Sequence, residues 1–415
     1  MKLADRLAGS SRAPGGFHCL ISVRWPITLR RRRTGKFSGK ANGLSENEAV
    51  TYLGFFEPDG VRGGTLRSAE KDLLAPFPAP VIPSSLVREL RLDGGEFIEV
   101  LIENPDPHHK VVLQSLKAIT SIDGRDLDDH HDFSRFDELP RFDAYERLTL
   151  SVEGGPLAMR IVDLFAPLGV GQHGLIVAEP GAGKSVFIQQ TANALAELHP
   201  DTEVMILLLG ERPEEVTNME RSIPGGVISS SSYRDDSSHV RTAELSLMRA
   251  RRLVEAGKDV FVLIDSVTEL AQAYNSEVRD PHRVIDDVLN PVAIDRTQEL
   301  LQSAVDVEGG GSLTILGSVA AGTGSELDDL VFEALRGKGG MEVFLSAELA
   351  GLKISPAIDI GRSVGCQGLL HSEELGVAED FRKKLARGPL EKEMPALHKV
   401  MRQYESNGEL LEATS

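Results

Sequence analysis

The run Val177-Ala178-Glu179-Pro180-Gly181-Ala182-Gly183-Lys184-Ser185 decides the fold. An apolar segment, Gly174-Leu175-Ile176-Val177, leads into a Pro-Gly turn, and Val186, Phe187 and Ile188 open a helical pattern behind it. A strand, turn and helix in that order aim the unpaired N–H groups of the first helical turn at an anion. Residues Glu179, Pro180, Gly181, Ala182, Gly183, Lys184, Ser185 and Val186 therefore form a candidate phosphate loop for a nucleoside triphosphate. Lys184 is expected at the β and γ phosphates and the Ser185 hydroxyl at a magnesium ion. The strict pattern has its first glycine at position 178, where this chain has Ala178. On the motif alone, a Gly-rich turn of an ordinary α/β domain stands beside the nucleotide reading.

Two more apolar runs end in acid. Val204-Met205-Ile206-Leu207-Leu208-Leu209 leads to Gly210-Glu211-Arg212, and Val260-Phe261-Val262-Leu263-Ile264 leads to Asp265-Ser266. In an open α/β sheet the ligand lies at the carboxyl ends of the parallel strands, so Lys184, Glu211 and Asp265 should converge on one crevice. Asp265 suits support of a hydrated magnesium ion, largely through water. Glu211 suits orientation or deprotonation of an attacking water. Either carboxylate alone reads equally as a solvated strand end. Together with the loop upstream they favour catalysis.

A chain of 415 residues exceeds one compact core and implies two or three domains. Its net charge is −18, yet residues 1–40 carry Lys2, Arg6, Arg12, Arg24, Arg30, Arg31, Arg32, Arg33, Lys36 and Lys40 against Asp5 alone. The body is thus acidic, and any polyanion it binds must meet a local basic lining. The basic opening reads as a transit peptide, a nucleic-acid-binding arm or an unstructured start. Cys19 and Cys366 are the only cysteines, which excludes a disulfide framework and fits the reducing cytoplasm. No apolar run approaches a membrane span.

Residues 1–47 lack periodicity and are expected to be disordered. From 48 to 118, short apolar runs such as Tyr52-Leu53-Gly54-Phe55-Phe56 and Phe97-Ile98-Glu99-Val100-Leu101-Ile102 alternate with turns, the pattern of a small β-barrel. Residues 119–147 form an acidic linker in which His130-His131 reads as solvated rather than metal-binding. The nucleotide-binding domain is expected over 148–370 and a helical segment over 371–415.

Further blocks carry a family resemblance. They are Gly210-Glu211-Arg212-Pro213-Glu214-Glu215-Val216-Thr217, Asp265-Ser266, Leu270-Ala271-Gln272-Ala273-Tyr274-Asn275, Glu308-Gly309-Gly310-Gly311-Ser312, Thr323-Gly324-Ser325 and Pro356-Ala357-Ile358-Asp359. Nearly colinear from Tyr52 to Gly365, the chain resembles the Rho family of bacterial transcription termination factors. The resemblance implies an α/β fold with a RecA-type P-loop core behind a small OB or cold-shock-like barrel. It also implies ATP and Mg2+ as cofactors, single-stranded RNA and the RNA polymerase transcription complex as partners, a homohexameric ring, a cytoplasmic location and no membrane. The expected activity is ATP-dependent RNA translocation, or helicase action, that facilitates termination. The family's loop also lacks the first glycine, which accounts for Ala178. Lys184, Ser185, Glu211 and Asp265 inherit the roles argued above, and Arg212 inherits coupling of nucleotide state to a neighbouring subunit. Arg67, Arg283, Val284 and Ser325 fall on the segments expected to meet RNA.

The chain also departs from that family. Cys366 stands where members place an arginine finger across the subunit interface, a group worth roughly three to five powers of ten in rate. Arg362 is the rival finger. Ser355 replaces an aromatic that stacks on the base. The Arg62-to-Arg67 turn lacks the phenylalanines on which RNA bases stack at about 1–3 kcal/mol each. Asp287 and Val288 replace pore-loop glycines, Glu326 a lysine, and Glu269 and Gln272 arginines. These changes support a second reading, a ring-forming ATP-binding paralogue with impaired hydrolysis and translocation. A rotary-ATP-synthase-like motor subunit shares the core, but not the Glu-Arg-Pro-Glu-Glu-Val block or the barrel.

Overall fold

The computed structural model describes residues 49–60, 63–68, 73, 80–103, 111–113, 118–127, 134–142, 146–278, 289–308 and 310–414. The basic segment 1–47, the His130-His131 pair, Arg62, Arg283, Val284, Asp287 and Val288 lie outside them.

Six strands build the first sheet: β1 (Ala49–Pro58), β2 (Gly63–Arg67), β3 (Pro80–Pro83), β4 (Phe97–Glu103), β5 (Val111–Val112) and β6 (Ile119–Ile122). Their order is β5-β3-β2-β1-β4-β6, and a short helix α1 (Ser84–Glu89) follows β3. The sheet is a half-barrel of OB-like character. Side chains alternate in direction along a strand, so the neighbours Phe55 and Phe56 have different fates. Phe56 enters the sheet's own core with Leu66, Ile82, Ile98 and Ile122, whereas Phe55 joins the core of the larger domain. Strand β6 occupies residues expected in a linker. Ile119 and Ile122 are buried and pair the strand to β4, a pattern hidden in the sequence by the acidic residues that follow.

The second sheet is α/β. Strands β8 (His173–Ala178), β9 (Glu203–Leu209), β10 (Gly226–Ser230), β11 (Val260–Asp265), β13 (Ser312–Ala320) and β14 (Met341–Leu345) run parallel in the order β10-β9-β11-β13-β8-β14. Two short antiparallel strands, β7 (Arg141–Phe142) and β12 (Val305–Val307), extend from the start of β13. Helices cover both faces, which is why these strands read as continuous apolar runs. Phe261 and Leu263 point to one face, with α2 (Leu157–Phe165), α3 (Lys184–Leu198) and α4 (Pro213–Ser222). Val260, Val262 and Ile264 point to the other, with α5 (Asp236–Glu255), α6 (Val267–Val278), α7 (Pro291–Leu301) and α8 (Glu326–Leu335).

After β14 come α9 (Ala347–Gly351), α10 (Ser372–Leu385), α11 (Leu390–Met401) and α12 (Asn407–Thr414). Phe381, Met394, Met401 and Leu410 seat this C-terminal group on the α2 face. A buried arginine locks it there: Arg160 of α2 donates to the carbonyls of Met401 (2.9 Å), Tyr404 (2.6 Å) and Ser406 (2.9 Å).

Helix α5 joins the two sheets. Glu57 of β1 takes Arg67 at 2.5 Å and Arg241 of α5 at 3.1 Å, and Asp123 pairs with Arg249. Gly95 sits at φ +82°, and a Cβ there would meet the Met248 backbone at 2.4 Å, so glycine permits the close approach. Beside it Glu96 is 1 % exposed and accepts from the N–H groups of Asp93 and Gly94. Burial pushes its carboxyl up to about 7, with Arg252 acting in the opposite sense.

Candidate nucleotide-binding site

Strand β8 delivers the chain to Ala178, and α3 begins at Lys184. Between them Gly181 (φ +78°) and Gly183 (φ +95°) take the left-handed conformation that a side chain disfavours. A Cβ at either would meet nothing within 4 Å, so backbone conformation, not crowding, requires glycine there. Gly183 is the N-cap residue of α3 and supplies no side chain, leaving the first-turn N–H groups available to an anion.

Three charged groups meet above that turn. Lys184 Nζ donates to Asp265 Oδ1 at 2.6 Å and to Glu211 Oε1 at 3.1 Å. Asp265 ends β11 and Glu211 follows β9, the two strands that pair side by side. Burial pulls the Lys184 ammonium down, but Asp265 and Glu211 outweigh it and leave its pKa raised. Asp265 is 1 % exposed; burial pushes its carboxyl up while Lys184 and the Ser318 hydroxyl, 2.6 Å away, hold it back. Burial and a hydrogen bond with Glu215 push Glu211 up, and Lys184 opposes them.

Lys184 and Glu211 line a cleft of about 590 Å³ together with Ser185, Ser318, Glu269, Gln272 and Asp328, and Asp265 lies buried behind Lys184 and Ser318. The Asp328 carboxylate accepts from Gln272 at 2.7 Å and Thr323 at 2.6 Å. Burial raises Glu269, and the neighbouring Asp328 and Glu211 add to the rise. The cleft thus places a helix N-terminus, one ammonium, an exposed serine hydroxyl and carboxylates at the ends of parallel strands, a donor set that fits a magnesium triphosphate.

The other sequence candidates are dispersed. Arg212 is exposed and forms the N-cap position of α4, next to Glu211. Ser325 caps α8, its hydroxyl accepting from the Asp328 N–H at 3.3 Å. Arg67 spends its guanidinium on Glu57. Arg283 and Val284 fall outside the described residues. Cys366 opens a single 3-10 turn, and its N–H donates to the Pro167 carbonyl at 3.2 Å. Arg362 lies over the Phe344 ring, 4.4 Å from its centroid, and 3.8 Å from Glu179 of its own phosphate loop.

Sequence reading missed Ser318, the hydrogen-bond partner of Asp265. Its signal was a hydroxyl inside the apolar run Leu316-Gly317-Ser318-Val319, on the strand that pairs with both β11 and β8.

The nucleotide-binding domain model of the ATP synthase alpha/beta family matches residues 158–365. The transcription termination factor Rho of Haemophilus influenzae is 37 % identical over 333 residues, covering 79 % of this chain and 76 % of that protein. The Bacillus subtilis Rho is 38 % identical over 282 residues, covering 68 % and 66 %. For the Streptomyces lividans Rho the identity is 36 % over 328 residues, and this chain matches 78 % of its own length but 46 % of that relative's. A solved ATPase from the type III secretion system of pathogenic bacteria is similar in fold, with TM-score 0.52 and 24 % identity over 60 % of this chain and 71 % of that one. Among the described residues no helix is long and apolar enough to cross a membrane. With the phosphate loop, the paired strand-end carboxylates and these relatives in agreement, the chain belongs to the Rho family of transcription termination factors.

Proposed function

We propose that this protein hydrolyses ATP to move along single-stranded RNA and thereby promotes transcription termination. One observation carries the catalytic part: the Lys184 ammonium bonds both Asp265 and Glu211 at the N-terminus of a helix whose first N–H groups have no side-chain cap. In this reading the loop from Glu179 to Val186 holds the phosphates, and the Lys184 charge, with the aligned N–H groups, stabilises negative charge as it moves onto the leaving phosphate. Ser185 and, through water, Asp265 hold magnesium, which neutralises the phosphate oxygens when bound. Glu211, its pKa raised, accepts a proton from water or orients it. Arg212, exposed beside Glu211, relays nucleotide state to the neighbouring subunit of a homohexamer. The nascent transcript in an RNA polymerase complex is the substrate, reached through the half-barrel and the segments around Arg283, Val284 and Ser325.

A second reading, a ring that binds ATP but turns it over slowly, is favoured by Cys366 at the finger position and by Arg362, which faces its own loop. Release of transcripts from halted polymerase complexes separates the two. ATP-dependent release by the intact chain supports the motor, whereas nucleotide binding without release supports the slow ring.

A further inference from the structure

A second hollow, of about 470 Å³, lies beside the phosphate loop and shares Gly181, Gly183 and Val186 with the cleft that holds Lys184. A nucleotide whose phosphates rest on the N-terminus of α3 carries its base into such a neighbouring space. Val186, 56 % exposed, offers an apolar surface in the lining. Phe187 is the aromatic residue of the lining, and it is buried in the core, so its ring is committed to packing.

The lining also carries cations. Lys353 and Arg402 belong to it, together with Ser355. Arg402 Nη2 donates to the Ser355 carbonyl at 2.8 Å. That bond fixes the guanidinium and also occupies a carbonyl that a base amino group would otherwise use. The chain around Arg402 is held firmly, because the Arg160 guanidinium grips the carbonyls of Met401 and Tyr404 on either side of it. Arg402 is therefore a positioned donor.

Arginine and lysine carry donors and no acceptors. A wall of donors discriminates between purines by the group at C6. Guanine offers O6 and N7 to an arginine fork, whereas adenine presents an amino donor in place of O6. The Gln190 amide, which also lines the hollow, serves either base and does not reverse the preference.

We propose that Arg402 selects the base, and that it makes the site accept guanine nucleotides at least as well as adenine nucleotides. The proposal rests on the nucleotide reading of the Lys184 cleft and adds a specificity residue to it. It also assigns the C-terminal helices a role in the site, since Arg402 lies at the end of α11.

The test is a titration of the full chain, with magnesium, against ATP and GTP carrying a fluorophore on the ribose. The parent should bind GTP as tightly as ATP or more tightly. Arg402→Ala should weaken GTP by roughly tenfold and ATP by less than about threefold, the scale of one lost bidentate contact. Arg402→Gln, whose amide matches adenine N6 and N7, should turn the preference toward ATP. Arg402 is exposed, so both variants should keep the parent's thermal unfolding midpoint. A parent that prefers ATP by tenfold, or variants whose GTP-to-ATP ratio equals the parent's, would overturn the role of Arg402 while leaving nucleotide binding intact. If the parent bound neither nucleotide, or Lys184→Ala bound both as the parent does, the underlying nucleotide reading would fall as well.

Discussion

Lys184 sits between two carboxylates, and the proposed mechanism gives the three groups separable jobs. Lys184→Ala should abolish ATP binding in an equilibrium titration, because the remaining Asp265 and Glu211 repel the phosphates; unchanged affinity would remove the loop from the site. Glu211→Gln should bind ATP within about threefold of the parent while turnover falls by roughly a hundredfold or more, the usual scale of general-base loss. Undiminished turnover would exclude Glu211. At the finger position, Cys366→Arg should raise RNA-stimulated turnover by at least roughly tenfold, short of the roughly thousandfold that a complete finger gives. Arg362→Ala is the counter-test. If the unmodified protein turns over several times per second and this variant alone is silent, Arg362 is the finger. The candidates around Lys184 were legible because each terminates its own apolar run, a local signal. Ser318, Arg160 and Arg402 were not, because their meaning lies in partners far along the chain: Arg160 meets Met401 across 241 positions and Ser318 meets Asp265 across 53.

At the scale of elements, the parallel strands were legible from composition, since strands covered on both faces are apolar throughout. Strand β6 was not, because its two buried isoleucines adjoin acidic residues and the pairing to β4 is set by tertiary contact. Helix α11 carries a group whose behaviour follows from burial. His398 is 3 % exposed, its Nε2 has no hydrogen-bond partner among the described residues, and burial, with the nearby Arg402 charge, pushes its pKa down to about 4. The folded state therefore disfavours protonation that the unfolded chain accepts near 6.5. Stability from this group is constant above pH 6.5 and declines as pH falls from there toward 4, by about 2 kcal/mol at pH 5. Thermal unfolding at pH 7 and pH 5 should show this loss in the parent and a smaller one in His398→Leu. Equal losses would assign the acid sensitivity elsewhere.

The molecule as a whole is two sheets sharing one helix. Arg67, on a segment expected to meet RNA, bonds Glu57, which also holds Arg241, and so we propose that it serves the join between half-barrel and core. Arg67→Ala should lower the unfolding midpoint and leave affinity for a cytidine-rich oligonucleotide within about twofold; a tenfold loss of RNA affinity with unchanged stability would return Arg67 to the RNA surface. The acidic net charge gives the body no general attraction for RNA, so under the proposed function any coupling between RNA and Lys184 would depend on local contacts. Family membership and the proposed role of the Lys184 cluster together predict a motor whose chemistry answers to RNA. The decisive measurement is ATP turnover by the full chain with and without polycytidylate at low salt, beside Lys184→Ala. RNA should raise the parent's turnover several-fold, and Lys184→Ala should be silent in both conditions. Turnover that is identical with and without RNA, or that survives in Lys184→Ala, would contradict RNA-coupled hydrolysis at this site.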